Sequence, residues 1–353
     1  MTWNGIMDAY ASFLPVSEST PLITLQEGNT PLLRARGLEE ALACPAEIYL
    51  KWEGMNPTGS FKDRGMTLAV SKALEEGAEG FVCASTGNTS ASAAAFAARS
   101  GYPCYVLIPQ GNIAMGKLAQ SLVYGATVIE VEGNFDDALR LVREIIKTRP
   151  VTLVNSLNPY RLEGQKTASF EVCDYLGESP HALFIPVGNA GNITAYWKGF
   201  REYYQEGRTS FLPKLYGYQA AGAAPMVWNQ PVAKPETLAT AIRIGNPANW
   251  SAAADAVKQA YGEIDLVTDE EILEAYRLLS SREGVFVEAA SAASVAGLKK
   301  ALQQNPHILK KGEQVVCVLT GNGLKDLQLA LDNCPQPVTI PAELSALEKL
   351  MEA

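Results

Sequence analysis

Residues 55–65 read Met-Asn-Pro-Thr-Gly-Ser-Phe-Lys-Asp-Arg-Gly, and the lysine in that run, Lys62, directly follows Phe61. It stands between an Asn-Pro-Thr-Gly turn and the start of a mostly apolar helical pattern. A lone lysine is usually a solvated surface charge. An amine held at a helix start beside a hydrophobic wall can instead form an imine with an aldehyde cofactor. A second run, Gly188-Asn189-Ala190-Gly191-Asn192, directly follows the apolar stretch Leu183-Phe184-Ile185-Pro186-Val187. A glycine-rich turn at a helix start points several backbone N–H groups at one spot, and the helix dipole adds partial positive charge there. Such a turn can hold a phosphate without any basic side chain. In isolation it would read as a simple strand-to-helix turn.

Ser85-Thr86-Gly87-Asn88-Thr89 also lies between a strand-like and a helix-like segment. Donors this dense can bind a carboxylate, and Asn88 can reach a cofactor oxygen; the same residues are also good helix caps. Arg161 follows the turn Asn155-Ser156-Leu157-Asn158-Pro159. A guanidinium there can grip a phosphate with two parallel hydrogen bonds, although a single arginine more often makes a surface ion pair. Thr320 opens the turn Thr320-Gly321-Asn322-Gly323 after an apolar run. On sequence alone it reads equally well as a plain turn residue.

These residues need a scaffold, and the pattern between them supplies one. Ala46 to Lys51 reads as a strand and Phe61 to Glu76 as a helix, with Met66, Ala69, Val70, Ala73 and Leu74 at helical spacing. Further strands are expected at 80–84, 105–108, 127–131, 151–154 and 183–187, with helices at 89–100, 117–124 and 161–176. Gly101 reads as a C-cap. Asn134 reads as the N-cap of another helix, with Asp137 three residues on and an apolar face of Ala138, Leu141, Val142, Ile145 and Ile146. This alternation predicts an α/β fold, with parallel sheets covered by helices on both faces. Ligands in such sheets bind beyond the carboxyl ends of the strands. The candidate motifs begin there, at Ser85, Asn155, Gly188 and Thr320. The polar, proline-containing stretch 229–249 reads as a lid or a surface excursion.

The 353 residues suggest two or three domain-sized units. With 47% hydrophobic and 19% charged residues, the composition is that of a soluble globular protein. A net charge of −9 argues against a general nucleic-acid binder, but not against a pocket for a small anion. The six cysteines form no Cys-x-x-Cys pair and several sit in apolar runs, as free thiols of a reducing cytosol would. Two histidines without nearby partners make a zinc site improbable. No signal-peptide pattern and no membrane-spanning run are evident.

The lysine run resembles the lysine motif of the fold-type II pyridoxal phosphate (PLP) enzymes, and its full form is similar to that of the threonine synthase family. The runs 188–192, 155–167, 217–225 and 239–247 share that resemblance, which extends from Gly28-Asn29-Thr30-Pro31-Leu32 to Thr320-Gly321-Asn322-Gly323-Leu324. It implies two open, twisted, mostly parallel sheets with PLP in the cleft between a smaller unit, 54–155, and a larger one, 1–53 plus 156–353. It implies Lys62 as Schiff-base lysine and proton carrier with Phe61 beside it, and Gly188, Asn189, Ala190, Gly191 and Asn192 as the phosphate cup. Asn88 would meet the cofactor O3′ and the Thr320 hydroxyl its pyridine nitrogen. Ser85, Thr86 and Thr89 would take the substrate carboxylate, and Ser156 and Arg161 the substrate's own phosphate. The implied reaction converts O-phospho-L-homoserine and water to L-threonine and phosphate, in a cytoplasmic homodimer. One departure is Glu288-Ala289-Ala290-Ser291, where many relatives have proline after the glutamate. The alternative is a threonine or serine dehydratase, or another fold-type II enzyme such as a cysteine synthase. Dehydratases need no second anion site, so Ser156 and Arg161 discriminate. Intact Lys62, Asn88 and Thr320 argue against a non-catalytic PLP carrier. No Gly-x-Gly-x-x-Gly or Walker pattern supports a nucleotide-binding protein.

Overall fold

Short apolar runs buried on both faces give the central strands, and strand pairing divides the strands between two sheets. The computed structural model describes residues 2–111, 115–133 and 135–352. In chain order the strands are β1 (Leu32–Arg34), β2 (Glu47–Trp52), β3 (Gly80–Ala84), β4 (Cys104–Pro109), β5 (Thr127–Val131), β6 (Val151–Leu153), β7 (Ala182–Pro186), β8 (Lys214–Ala220), β9 (Glu263–Val267) and β10 (Gln314–Leu319). One sheet has the order β5-β4-β3-β6, parallel throughout. The other has the order β1-β2-β10-β7-β8-β9, parallel except for β1 against β2. Parallel neighbours require crossover connections, and the helices that make them cover both faces. In β10, Val315, Cys317 and Leu319 enter one core with the small-residue helix Ala289–Gln304. Val316 and Val318 enter the opposite core with the helices Thr167–Leu176 and Gly191–Gln205. This is the two-residue period of a strand buried on both sides.

The helix expected over 161–176 is two helices, Pro159–Gln165 and Thr167–Leu176. Asn158 caps the first, accepting from Tyr160 N–H, with Pro159 in the first turn. At the junction the Thr167 hydroxyl donates to the Gly164 carbonyl (2.7 Å) and the Ser169 hydroxyl to the Lys166 carbonyl (2.6 Å). Such local side-chain bonds compete with the helical ladder. The expected N-cap Asn134 lies outside the described residues. In the helix that follows, Phe135–Ile145, Ala138 and Val142 are buried, but Ile145 is exposed at the last turn. Gly101 takes the left-handed C-cap conformation, with φ of 78°. The stretch 229–249 is partly a wall: its turn Thr240–Ile242 buries Ile242, whose Cα lies within 3.1 Å of where a side chain on Gly188 would start.

Candidate active site

The turn before Lys62 is held on two sides. Gly59 has φ of 85°, a conformation that favours glycine. The Asp63 carboxylate accepts from Thr58 N–H (2.7 Å), the Thr58 hydroxyl (2.6 Å) and the Ser92 hydroxyl (2.6 Å), which ties the turn to the helix Asn88–Ser100. On the other side Phe61 N–H donates to the Thr320 carbonyl (3.0 Å), and Asn322 N–H donates to the Gly59 carbonyl (2.9 Å). Lys62 is therefore fixed where the end of β10 meets the first turn of the helix Lys62–Glu75. Its Nζ lies 4.0 Å from the centre of the Phe61 ring. Burial, reinforced by the Arg161 guanidinium, lowers the Lys62 amine to about 7, while Glu288 pulls the other way. An amine poised there can serve as nucleophile and as base.

A cleft of about 640 Å³ opens between the two sheets, lined by Thr58, Gly59, Thr86, Gly87, Asn88 and Gln120 from one side. Thr240, Ala241, Arg243, Glu288, Asn322 and Lys325 line the other. Of the residues singled out in the sequence, Thr86 and Asn88 face this cleft directly, with Ser85 and Thr89 flanking them in the chain. Ser85 Oγ accepts from Gly87 N–H (3.3 Å), which closes the turn. Asn88 is the first residue of its helix, and its amide nitrogen donates to both Glu288 oxygens (3.1 and 3.0 Å). Burial pushes the Glu288 carboxyl up, against the pull of Asn88, Lys325 and Lys62. Thr320 is buried, with its Oγ1 3.1 Å from Ser291 Oγ, and Ser291 Oγ also accepts from Gly321 N–H (2.8 Å). Glu288 and Ser291 had no role in the sequence pattern beyond a departure from it. The only signal was a glutamate ending the apolar run Val285-Phe286-Val287 just before a small-residue helix.

The loop 188–192 stands behind the wall formed by Thr240–Ile242. Ala190 sits in the left-handed region, with φ of 62°, an uncommon conformation for a residue with a side chain. The Asn189 carbonyl is held by Asn249 N–H (3.1 Å) and Asn249 Nδ2 (3.3 Å). The helix Gly191–Gln205 begins here, and the N–H groups of its first turn lack partners within the helix. Asn192 Nδ2 donates to Gln165 Oε1 (3.3 Å), and its buried Oδ1 has no partner among the described residues.

Arg161 reaches the site through a close helix crossing. A Cβ on Gly65 would fall 2.6 Å from the Arg161 carbonyl oxygen, and one on Gly164 would fall 2.0 Å from that of Arg64. The two glycines let the helix Pro159–Gln165 lie directly on the lysine helix. Arg161 is buried; its Nη1 donates to the Val154 carbonyl (2.7 Å), and its Nε has no partner among the described residues. Burial lowers its guanidinium to about 10. Ser156 lies partly exposed in the turn between β6 and this helix.

The donor set fits PLP. Lys62 offers a near-neutral amine for an aldehyde, and the start of helix Gly191–Gln205 offers N–H groups for a phosphate. Thr320 offers a hydroxyl already oriented by Ser291. Beyond these, Arg161 presents an under-partnered buried cation suited to a second anion.

Residues 23–321 match the family of pyridoxal-phosphate dependent enzymes. A threonine synthase of Halalkalibacterium halodurans is 57% identical over 345 residues, spanning 98% of this chain and 96% of that one. A threonine synthase of Synechocystis is 59% identical over 331 residues, spanning 94% and 86%. Among solved structures, the processed form of threonine deaminase isoform 2 from Solanum lycopersicum aligns with a TM-score of 0.73 at 21% identity, covering 100% of this chain and 90% of that one. Maize serine racemase aligns with a TM-score of 0.74 at 18% identity, covering 89% and 94%. At those identities the two structures speak for the fold alone, that of the fold-type II enzymes. The full-length sequence matches say more: the chain belongs to the pyridoxal-phosphate dependent enzymes and, within them, to the threonine synthase family.

Proposed function

We propose that the chain converts O-phospho-L-homoserine and water to L-threonine and phosphate, with PLP as cofactor. The observation that carries this reading is the placing of Lys62 in the first turn of its helix, tied to the end of β10 through Phe61 N–H and the Thr320 carbonyl, with its Nζ 4.0 Å from the Phe61 ring centre. Burial and the Arg161 guanidinium lower that amine to about 7. When bound, PLP supplies an electron sink for the carbons next to the substrate's amino group. Lys62, with Phe61 against it, would hold the cofactor's aldehyde carbon. The loop 188–192 would hold its phosphate, Asn88 its O3′, and Thr320 would face its ring nitrogen. A hydroxyl there does not compel full protonation of the ring, which suits elimination and replacement.

Lys62, as an amine lowered to about 7, would carry protons at Cα, Cβ and Cγ of the substrate. Neither histidine competes for that role: His181 Nδ1 accepts from Gln314 N–H (3.1 Å) at the far end of β10, and His307 is exposed. Ser85, Thr86 and Thr89 hold the substrate carboxylate through hydroxyl and backbone donors. Arg161 and Ser156 hold the substrate phosphate until it leaves Cγ. Lys62 then delivers a proton to Cγ, and water adds at Cβ.

The same reading takes 54–155 as the smaller unit, which contains all of β3 to β6, and 1–53 plus 156–353 as the larger. It takes the working form to be a cytoplasmic homodimer, which sedimentation would check. No helix among the described residues is long and apolar enough to cross a membrane. The direct test follows phosphate and threonine together after O-phospho-L-homoserine is added to the PLP-loaded protein. Equal amounts of the two are expected. Keto acid from threonine or serine, without phosphate release, would move the chain to the dehydratases.

A further inference from the structure

Asn88 and Glu288 meet across the cleft from opposite sides. Asn88 opens the helix that follows β3 in the four-stranded sheet, whereas Glu288 precedes the helix Ala289–Gln304, which packs on the six-stranded sheet. Both Glu288 oxygens take the Asn88 amide nitrogen (3.1 and 3.0 Å). The Glu288 backbone is pinned as well: its N–H donates to the Gly321 carbonyl (3.1 Å), and its own carbonyl accepts from Ser291 N–H (2.9 Å). A side chain on Gly321 would start 2.3 Å from the Glu288 carboxyl, so the carboxyl is packed against the backbone that follows Thr320. Among the described residues, Lys62, Lys325 and Asp326 are the charged groups that act most on Glu288, and Arg161 and Glu288 those that act most on Lys62.

We infer that Glu288 is a positioning residue for the reaction: its carboxylate holds the Asn88 amide across the cleft and so fixes the loop 85–89 relative to Lys62. With both Glu288 oxygens accepting from the Asn88 nitrogen, the amide oxygen is turned away from Glu288. The loop that meets the substrate carboxylate is then set at one height above the lysine. Glu288 is also the acidic group that offsets Arg161 at the Lys62 amine. The kinetic part of this inference rests on the proposed reaction; the cofactor-binding part does not.

The test uses Glu288→Gln, which keeps the shape but loses the charge, Glu288→Asp, which keeps the charge but shortens the reach, and Asn88→Ala. PLP is added to each cofactor-free protein, and lysine attachment is followed by absorption across pH. Without the Glu288 charge the Lys62 amine loses its proton more readily. The attachment midpoint therefore moves to lower pH in Glu288→Gln and stays near wild type in Glu288→Asp. In turnover, kcat/KM falls roughly 10- to 100-fold in Glu288→Gln, as a misplaced binding group requires. The same change adds little in the Asn88→Ala background. If Glu288→Gln does not fold, Glu288→Asp carries the same comparison: a loss with Asn88 present and little loss without it. An unmoved midpoint in Glu288→Gln, or losses that simply multiply with that of Asn88→Ala, would overturn the inference. Failure of the wild type to release phosphate would count instead against the substrate assignment.

Discussion

At the scale of single residues, the Lys62 amine sets the working pH. An unperturbed lysine holds its proton up to about 10.4. Burial and Arg161 bring Lys62 down to about 7, so its free-base form appears as the pH rises through that value. A pH–rate profile should therefore show kcat/KM rising through that value and then levelling off. Arg161 supports a second prediction. Among the described residues its Nη1 bonds the Val154 carbonyl and its Nε has no partner, so the substrate phosphate has donors to meet. Arg161→Ala should weaken that contact by about 1.5–3 kcal/mol, raising KM for O-phospho-L-homoserine roughly 10- to 100-fold while PLP still binds. Arg161→Lys should rescue little, since an ammonium lacks the planar fork. An unchanged KM would remove Arg161 from substrate binding.

At the scale of elements, the crossing of the helices Lys62–Glu75 and Pro159–Gln165 decides whether Arg161 reaches the site. Gly164→Ala drives a methyl group into the Arg64 carbonyl, since a Cβ at that position would lie 2.0 Å from the carbonyl oxygen. Overpacking of this kind costs about 1–3 kcal/mol, and the melting temperature should drop accordingly, with a larger loss of activity than of stability. Much of the element pattern was legible. β3 and β5 match their expected limits, β3 as an apolar run and β5 as a run rich in β-branched residues between Gly125 and Gly133, and Gly101 ends its helix as read. The break at Lys166 was not legible, because it depends on hydroxyls bonding to nearby carbonyls inside an otherwise helical pattern. Ile145 was misplaced because helical spacing alone does not say where a helix runs off the sheet. Glu288 was hidden for a different reason. Its role arises when a helix 200 residues from Asn88 in sequence folds back beside β10, and no local spacing records that return. Its missing proline matters little: Ala289 is the first helical residue, a position that tolerates proline without needing it.

At the scale of the whole molecule, a buried set of four charges joins the parts that carry the lysine. Arg64 reaches Glu53 (2.7 Å) and Glu171 (2.6 Å), and Lys51 reaches Glu171 (2.7 Å). These residues come from β2 and the turn after it, from the lysine helix, and from the helix Thr167–Leu176. Burial alone would raise the Glu171 carboxyl, but Arg64 and Lys51 hold it at about 2. Its unfolded value is about 4.3, so its contribution is present above that pH and is lost as the pH falls toward 2. Removing one member leaves an uncompensated buried charge: Arg64→Met should cost about 3–5 kcal/mol, read as a lower urea midpoint. All of this scaffolding serves one amine. The measurement that tests the central claim most directly is the absorption spectrum of the purified protein incubated with PLP, wild type beside Lys62→Ala, before and after borohydride reduction. The wild type should show a lysine-bound cofactor band that reduction fixes covalently to Lys62, and the variant no such band. A band of equal strength in Lys62→Ala, or attachment at another lysine, would contradict the assignment of Lys62.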